Sequence, residues 1–214
     1  IFTAHLALLA KNYRSGKSPV IKATNVANNL IGDVFRYLPD RGVLYLYSDL
    51  ESFLVSNLKK TKDTQRKMPD LALSFIKDED FARRFPQYCD LRGLSFLQTC
   101  ALIWLVSLYN FRTNVDRFRS SNVRTLDMRK FLQWPADTVN ALANFFGHSP
   151  GGPELAAMVG PSVMNSNAKD PRQAYGKEAR RLEAEQVIAL HRREIEQVLA
   201  WAQPIEEELA LLEG

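Results

Sequence analysis

Lys22, Thr24, Asn25, Ser48 and Ser56 are the residues whose types and spacing suggest chemistry. Each is expected at the C-terminal end of a β-strand, or within the first turns of the helix that follows. An ammonium group, hydroxyls and amides at helix starts make an anion site, because first-turn N–H groups and the helix dipole favour negative charge. Lys22 can act there as a point cation, and Ser56 as a hydroxyl donor. Ser48 can donate to the same anion or cap its own helix. The plain alternatives are a solvated strand-end lysine and an ordinary helix serine.

The elements that must position these residues lie between Pro19 and Lys60. Val20-Ile21 reads as a short β-run ending at Lys22. Asn25 is placed to cap a helix with Val26, Leu30, Val34 and Phe35 on one face. Pro39, Asp40 and Gly42 break that helix. Val43 to Tyr47 is a near-continuous apolar and aromatic run, as expected of a strand covered on both faces. Ser48 or Asp49 caps the next helix, with its stripe of Leu50, Phe53, Leu54 and Leu58. Two strands joined by a helix are parallel, and ligands of parallel sheets sit at the strand C-terminal ends.

Beyond this unit, Phe2–Tyr13 reads as a helix and the basic stretch Thr61–Pro69 as a loop or lid. Leu71–Tyr88 reads as polar with short helical pieces, and Leu91–Arg117 as a long apolar helix carrying Trp104 in the core. Asn122–Leu126 is the third credible strand. Pro135–Phe146 is a helix with proline in its first turn and Gly147 at its end. Pro161–Arg172 reads as a polar loop, and Gly176–Leu212 as one or two amphipathic helices interrupted at Pro204. The fold class is therefore α/β, a small parallel sheet flanked by many helices. One domain is expected over 1–214, with C-terminal helices over 176–214. Three strands are thin for a parallel sheet, and residue 1 is Ile, so a further strand is expected upstream.

Arg14-Ser15-Gly16-Lys17-Ser18 has the composition of a phosphate loop but not its context, since a helix precedes it and Pro19 follows. His5, His148 and His191 are scattered and read as surface, loop-capping and solvated-face residues. Cys89 and Cys100 lie in apolar helical surroundings, with no metal-ligand spacing, which points to a reducing, cytoplasmic setting. The 214 residues are 46% hydrophobic and carry a net charge of +4. That mild excess suits an anionic ligand. Acidic residues interleave with the basic ones, so nucleic acid is not expected as a partner. The most apolar stretch, Phe96–Phe111, contains Gln98, Thr99, Ser107 and Asn110 and falls short of a membrane span.

The order of motifs resembles the sulfotransferases that use 3′-phosphoadenosine 5′-phosphosulfate. That family has a strand ending in Ile-Lys, a helix, "P..R", and a strand of the type "ifl.R.P.dv.vS". Here stand Val20-Ile21-Lys22, Pro39-Asp40-Arg41, and LYLYSDLESFLVS ending at Ser56. Downstream the family has a Trp-bearing helix, "YEdLl.dP", "flG" and a loop of the type "n.hSKd". The matching pieces are Trp104, VRTLDMRKFLQWP up to Pro135, Phe145-Phe146-Gly147, and Met164 to Asp170 with Lys169. The resemblance runs from about Lys17 to Arg180.

It implies a P-loop-like three-layer fold and transfer of a sulfuryl group from the phosphosulfate nucleotide to a hydroxyl or amine acceptor, without metal. Lys22 would face the transferred group, Ser48 and Ser56 the 3′-phosphate, and Lys169 would close over the nucleotide. The departures are specific. Ser48 stands where the family has an Arg, Met128-Arg129 replaces Tyr-Glu, and Thr24 or Asn25 occupies the base position. The "RSGTT" loop is missing and is expected before Ile1. A catalytically degenerate nucleotide-binding or interaction protein of the same fold is the first alternative. A P-loop kinase-like protein is the second, though the chain lacks its Walker lysine and magnesium carboxylate. An oligomer is compatible with all three.

Overall fold

The computed structural model describes residues 4, 8, 11, 19–77, 79–118, 122–166, 172 and 174–209. The described chain is an α/β protein, mostly helical, with a two-stranded parallel sheet. Most of the expected Phe2–Tyr13 helix, the Arg14–Ser18 turn and Lys169 lie outside these residues.

The helix α6, Phe96–Phe118, is the central element. Its side chains from Thr99 to Phe111 are buried without interruption, so helices and sheet surround it and no single apolar stripe suffices. Thr99 and Ser107 are tolerated there because their hydroxyls donate back to the Ser95 and Ile103 carbonyls at 2.9 and 2.7 Å. Three of the helices that pack on it build the main core. They are α2 (Leu50–Leu58), α4 (Met68–Ile76) and the long C-terminal α11 (Lys177–Leu209). Leu54, Ala72, Phe75, Phe81, Leu102, Leu105 and Ala202 are fully enclosed at that junction.

The sheet pairs β1 (Val43–Tyr47) with β2 (Val123–Asp127) in parallel, Val43 opposite Val123 and Tyr47 opposite Asp127. One face lies on α6, where the Tyr45 and Phe111 rings stack at 4.1 Å. The other face leaves Leu46 half exposed, so β1 is not covered on both sides as its apolar run suggests. Helix α1 (Ile31–Tyr37) closes a second small core of Ile31, Phe35 and Phe111.

Several expectations are corrected. Pro19–Thr24 has no regular structure, so Val20-Ile21 is not a strand and the sheet holds two described strands rather than three. Asn25–Leu30 winds as a 3-10 helix before α1, and among the described residues the Asn25 side chain accepts only from its neighbour's N–H, at 3.1 Å. The basic stretch after Lys60 contains a short helix, α3 (Lys62–Arg66), capped by Thr61. Leu71–Tyr88 contributes Phe75 and Phe81 to the core, through α4 and the following α5 (Glu79–Arg84). The long C-terminal helix kinks at His191, where φ and ψ are −116° and 17°, and not at Pro204.

The remaining helices are α7 (Met128–Gln133), α8 (Pro135–Phe145), α9 (Gly152–Met158) and α10 (Pro161–Met164), the last inside the expected polar loop. Gly147 ends α8 with φ 74°, and His148 N–H reaches the Ala143 carbonyl at 2.8 Å, a glycine C-cap. Among the described residues no helix is long and apolar enough to cross a membrane.

Candidate functional site

Parallel pairing brings the two strand C-termini side by side, with Tyr47 opposite Asp127. Each strand then runs into a helix through an aspartate cap. Asp49 starts α2 by accepting from the Ser52 N–H and the Ser52 hydroxyl, both at 2.8 Å. Asp127 starts α7 by accepting from the Arg129 N–H at 2.8 Å. Short acceptor side chains do this because the first helical N–H groups have no intrahelical partner.

Arg129 joins the two caps. Its Nη2 donates to Asp127 Oδ2 at 2.9 Å, and its Nε lies 3.3 Å from Asp49 Oδ2. Asp127 is buried, Asp49 is mostly shielded, and the Arg129 side chain stays 67% exposed. Burial pushes the Asp127 carboxyl upward, but the Arg129 side chain, its N–H and its charge outweigh that and hold it below the ordinary carboxylate range. Arg129 is pushed higher still, first by its bond to Asp127 and then by the charge of Asp49. Glu206 of α11 faces the same corner. Burial, and then the charge of Asp49, raise its carboxyl above the ordinary value. From the core side, the Trp104 indole Nε1 donates to the Ser48 carbonyl at 2.9 Å.

The four expected site residues are distributed as follows. Ser48 is half-buried at the end of β1, beside the cap. Ser56 is exposed on α2, roughly 9 Å along the axis from Leu50 at 1.5 Å per residue. Asp49 caps that helix, not Ser48. Lys22 is exposed in the irregular Pro19–Thr24 segment and does not stand at a strand end. Lys169 lies outside the described residues. Ser48 thus stands at the β1–α2 junction, Ser56 lies toward the C-terminal end of α2 and not in its first turns as expected, and Lys22 is apart from the sheet.

Sequence reasoning singled out Asp49 only as a cap and Arg129 only as a departure from a motif. Their meeting depends on strand register, which no local pattern reveals. The Asp-x-Arg spacing at 127–129, where a strand becomes a helix, is the one sequence signal for it.

Other reactive groups are occupied or muted. Burial pushes the Cys100 thiol up to about 12 and raises Cys89 as well, so neither forms a thiolate readily. His148 and His191 sit near Glu154 and Glu194 at 3.3 and 3.0 Å. Among the described residues no three His, Cys, Asp or Glu side chains group as metal ligands. A polar cleft of about 270 Å3 opens between α1 and α6, lined by Asn29, Asp33, Arg36, Thr113, Asn114 and Arg117 among others.

No protein-family model, no curated protein and no solved structure matches the chain.

Proposed function

We propose that the chain is a sulfotransferase-like protein, which transfers a sulfuryl group from 3′-phosphoadenosine 5′-phosphosulfate to a hydroxyl or amine acceptor. The observation that carries this reading is the parallel β1–β2 pair, whose C-terminal ends lead straight into helix starts, with Ser48 at the end of the first strand. Open parallel sheets bind their ligands in that crevice. The ordered motif series in the sequence from Pro39 to Asp170 supports the same reading, including a P-loop-like layered fold.

The strand ends, as arranged, do not fit a phosphate group. Two carboxylates, Asp49 and Asp127, stand against the single guanidinium of Arg129, and Asp49 already holds the Ser52 N–H. That carboxylate pair favours a second reading, in which the chain is a catalytically degenerate binding or interaction protein of the same fold.

The two readings separate in one assay. The full chain is incubated with the phosphosulfate donor and a panel of hydroxyl and amine acceptors. Acceptor-dependent release of 3′,5′-adenosine bisphosphate is expected from the enzyme. Binding without release supports the degenerate member, and neither binding nor release overturns both.

A further inference from the structure

The polar cleft between α1 and α6 rests on three asparagines and a threonine whose donor ends are turned onto the protein's own oxygens. Asn29 Nδ2 donates to the Ser74 carbonyl at 3.2 Å, and Asn110 Nδ2 to Asn29 Oδ1 at 3.3 Å. Asn114 Nδ2 donates to the Asn110 carbonyl at 2.8 Å, and the Thr113 hydroxyl to the Tyr109 carbonyl at 2.7 Å. These bonds fix the amide orientations, because a carbonyl can only face the NH2 end of an asparagine. Oxygens are what remain. Asn114 Oδ1 accepts no hydrogen bond among the described residues. It lies so close to α1 that a Cβ at Gly32 would stand 2.6 Å from it. Asn110 is 1% exposed and is bonded to both Asn29 and Asn114, which line the cleft. Among the described residues, its Oδ1 is the buried side-chain oxygen or nitrogen without a partner, and a buried acceptor of that kind calls for a donor.

The charged groups of the cleft divide in two. Arg117 lies 3.6 Å from Asp80, which Arg83 also holds. Asp33 and Arg36, neighbours across one turn of α1, form no ion pair with each other or with another described residue. One charge of each sign is thus left on the same wall. An anion alone would meet Asp33 and bare amide oxygens, and a cation alone would leave Arg36 unmatched. We propose that this cleft binds a small zwitterion with ammonium and carboxylate groups a few atoms apart, of which a free amino acid is the simplest form. The ammonium donates to Asp33 and Asn114 Oδ1, and to Asn110 Oδ1 as the exposed Asn29 side chain turns aside. The carboxylate accepts from the Arg36 guanidinium. A volume of about 270 Å3 suits a molecule of that size. The cleft shares no residue with the strand-end corner, so this assignment does not depend on the sulfuryl-transfer reading.

Calorimetric titration of the full chain with a panel of free amino acids tests this. The tightest binder is then compared with its N-acetyl derivative, which lacks the ammonium, and its methyl ester, which lacks the carboxylate. Each derivative is expected to bind the parent protein about tenfold more weakly or worse, because each loses a charged hydrogen-bonding partner. Asp33→Asn and Arg36→Gln should weaken the free amino acid to a similar degree, and thermal melts check that both variants are folded. In NMR spectra the side-chain amide signals of Asn110 and Asn114 should move as the amino acid is added. The comparison of derivatives needs no variant, so it decides the matter even if a substitution unfolds the chain. Binding of no amino acid in the panel overturns the assignment. So does equal affinity for the free amino acid and its N-acetyl derivative or ester. Binding that leaves both asparagine signals unmoved, or that survives both substitutions unchanged, overturns it as well.

Discussion

The Trp104 indole donates to the Ser48 carbonyl at 2.9 Å, so the buried central helix fixes the point where β1 becomes α2. Trp104 is 5% exposed and fills space between that helix and the strand end. Trp104→Phe leaves the carbonyl without its donor and a gap behind it. A loss of about 2–4 kcal/mol in stability is expected from those two causes together. Urea unfolding of the two proteins checks the magnitude. A loss below a few tenths would show that the junction is held by the helix cap alone.

Asp127 gives stability a particular acid limb. Its folded carboxyl lies below the ordinary range, so the contribution is fully present above the unfolded value and disappears as pH falls through the folded one. Asp127→Asn should flatten that part of the stability curve and lower stability near neutral pH. Thermal melts across the acid range, parent against variant, measure the change in slope.

Glu206 behaves in the opposite sense. Its folded carboxyl is raised by burial and by Asp49, so the folded state binds the proton more tightly, and stability falls as pH rises between the unfolded and folded values. Glu206→Gln should therefore stabilise near neutral pH, by under about 1 kcal/mol after solvent screening. It should do nothing below the ordinary carboxylate range, where both states are protonated. Asp49→Asn should bring the Glu206 titration, followed by NMR of its side-chain carboxyl, back toward the ordinary value.

Lys59 ties α2 to the C-terminal helix through Glu183 at 2.8 Å and the Tyr175 hydroxyl at 3.1 Å. These groups are partly solvated, so Lys59→Met should cost no more than about 1 kcal/mol. The loss should shrink in high salt. A larger, salt-insensitive loss would mean the lysine stem is packing rather than pairing.

The elements legible in the sequence are those with strong periodicity or clear punctuation. β1 stands between Gly42 and Asp49 as an apolar run, α6 as an unbroken buried helix, and α8 between Pro135 and Gly147. Val20-Ile21 misleads because two apolar residues between Pro19 and Lys22 say nothing about a pairing partner, and no described strand lies beside them. The short helix α3 is hidden by its polarity. It is held by the Thr61 cap and by Gln65, whose amide donates to the Asn57, Leu58 and Lys60 carbonyls. The His191 kink carries no glycine or proline signal, whereas Pro204 does and leaves the helix continuous. At the site, the Asp49 cap is legible from local pattern. The Arg129 bridge is not, because it arises only when Tyr47 and Asp127 become neighbours across the sheet.

The function proposed for the strand-end crevice depends on nucleotide binding there. Thermal unfolding of the full chain with increasing 3′,5′-adenosine bisphosphate measures this most directly. Ligand at 100 times its dissociation constant should stabilise the protein by about 2.7 kcal/mol, with the effect reduced in Ser56→Ala. An unchanged melting temperature at millimolar ligand, in the parent and in Asp49→Asn alike, would contradict the account.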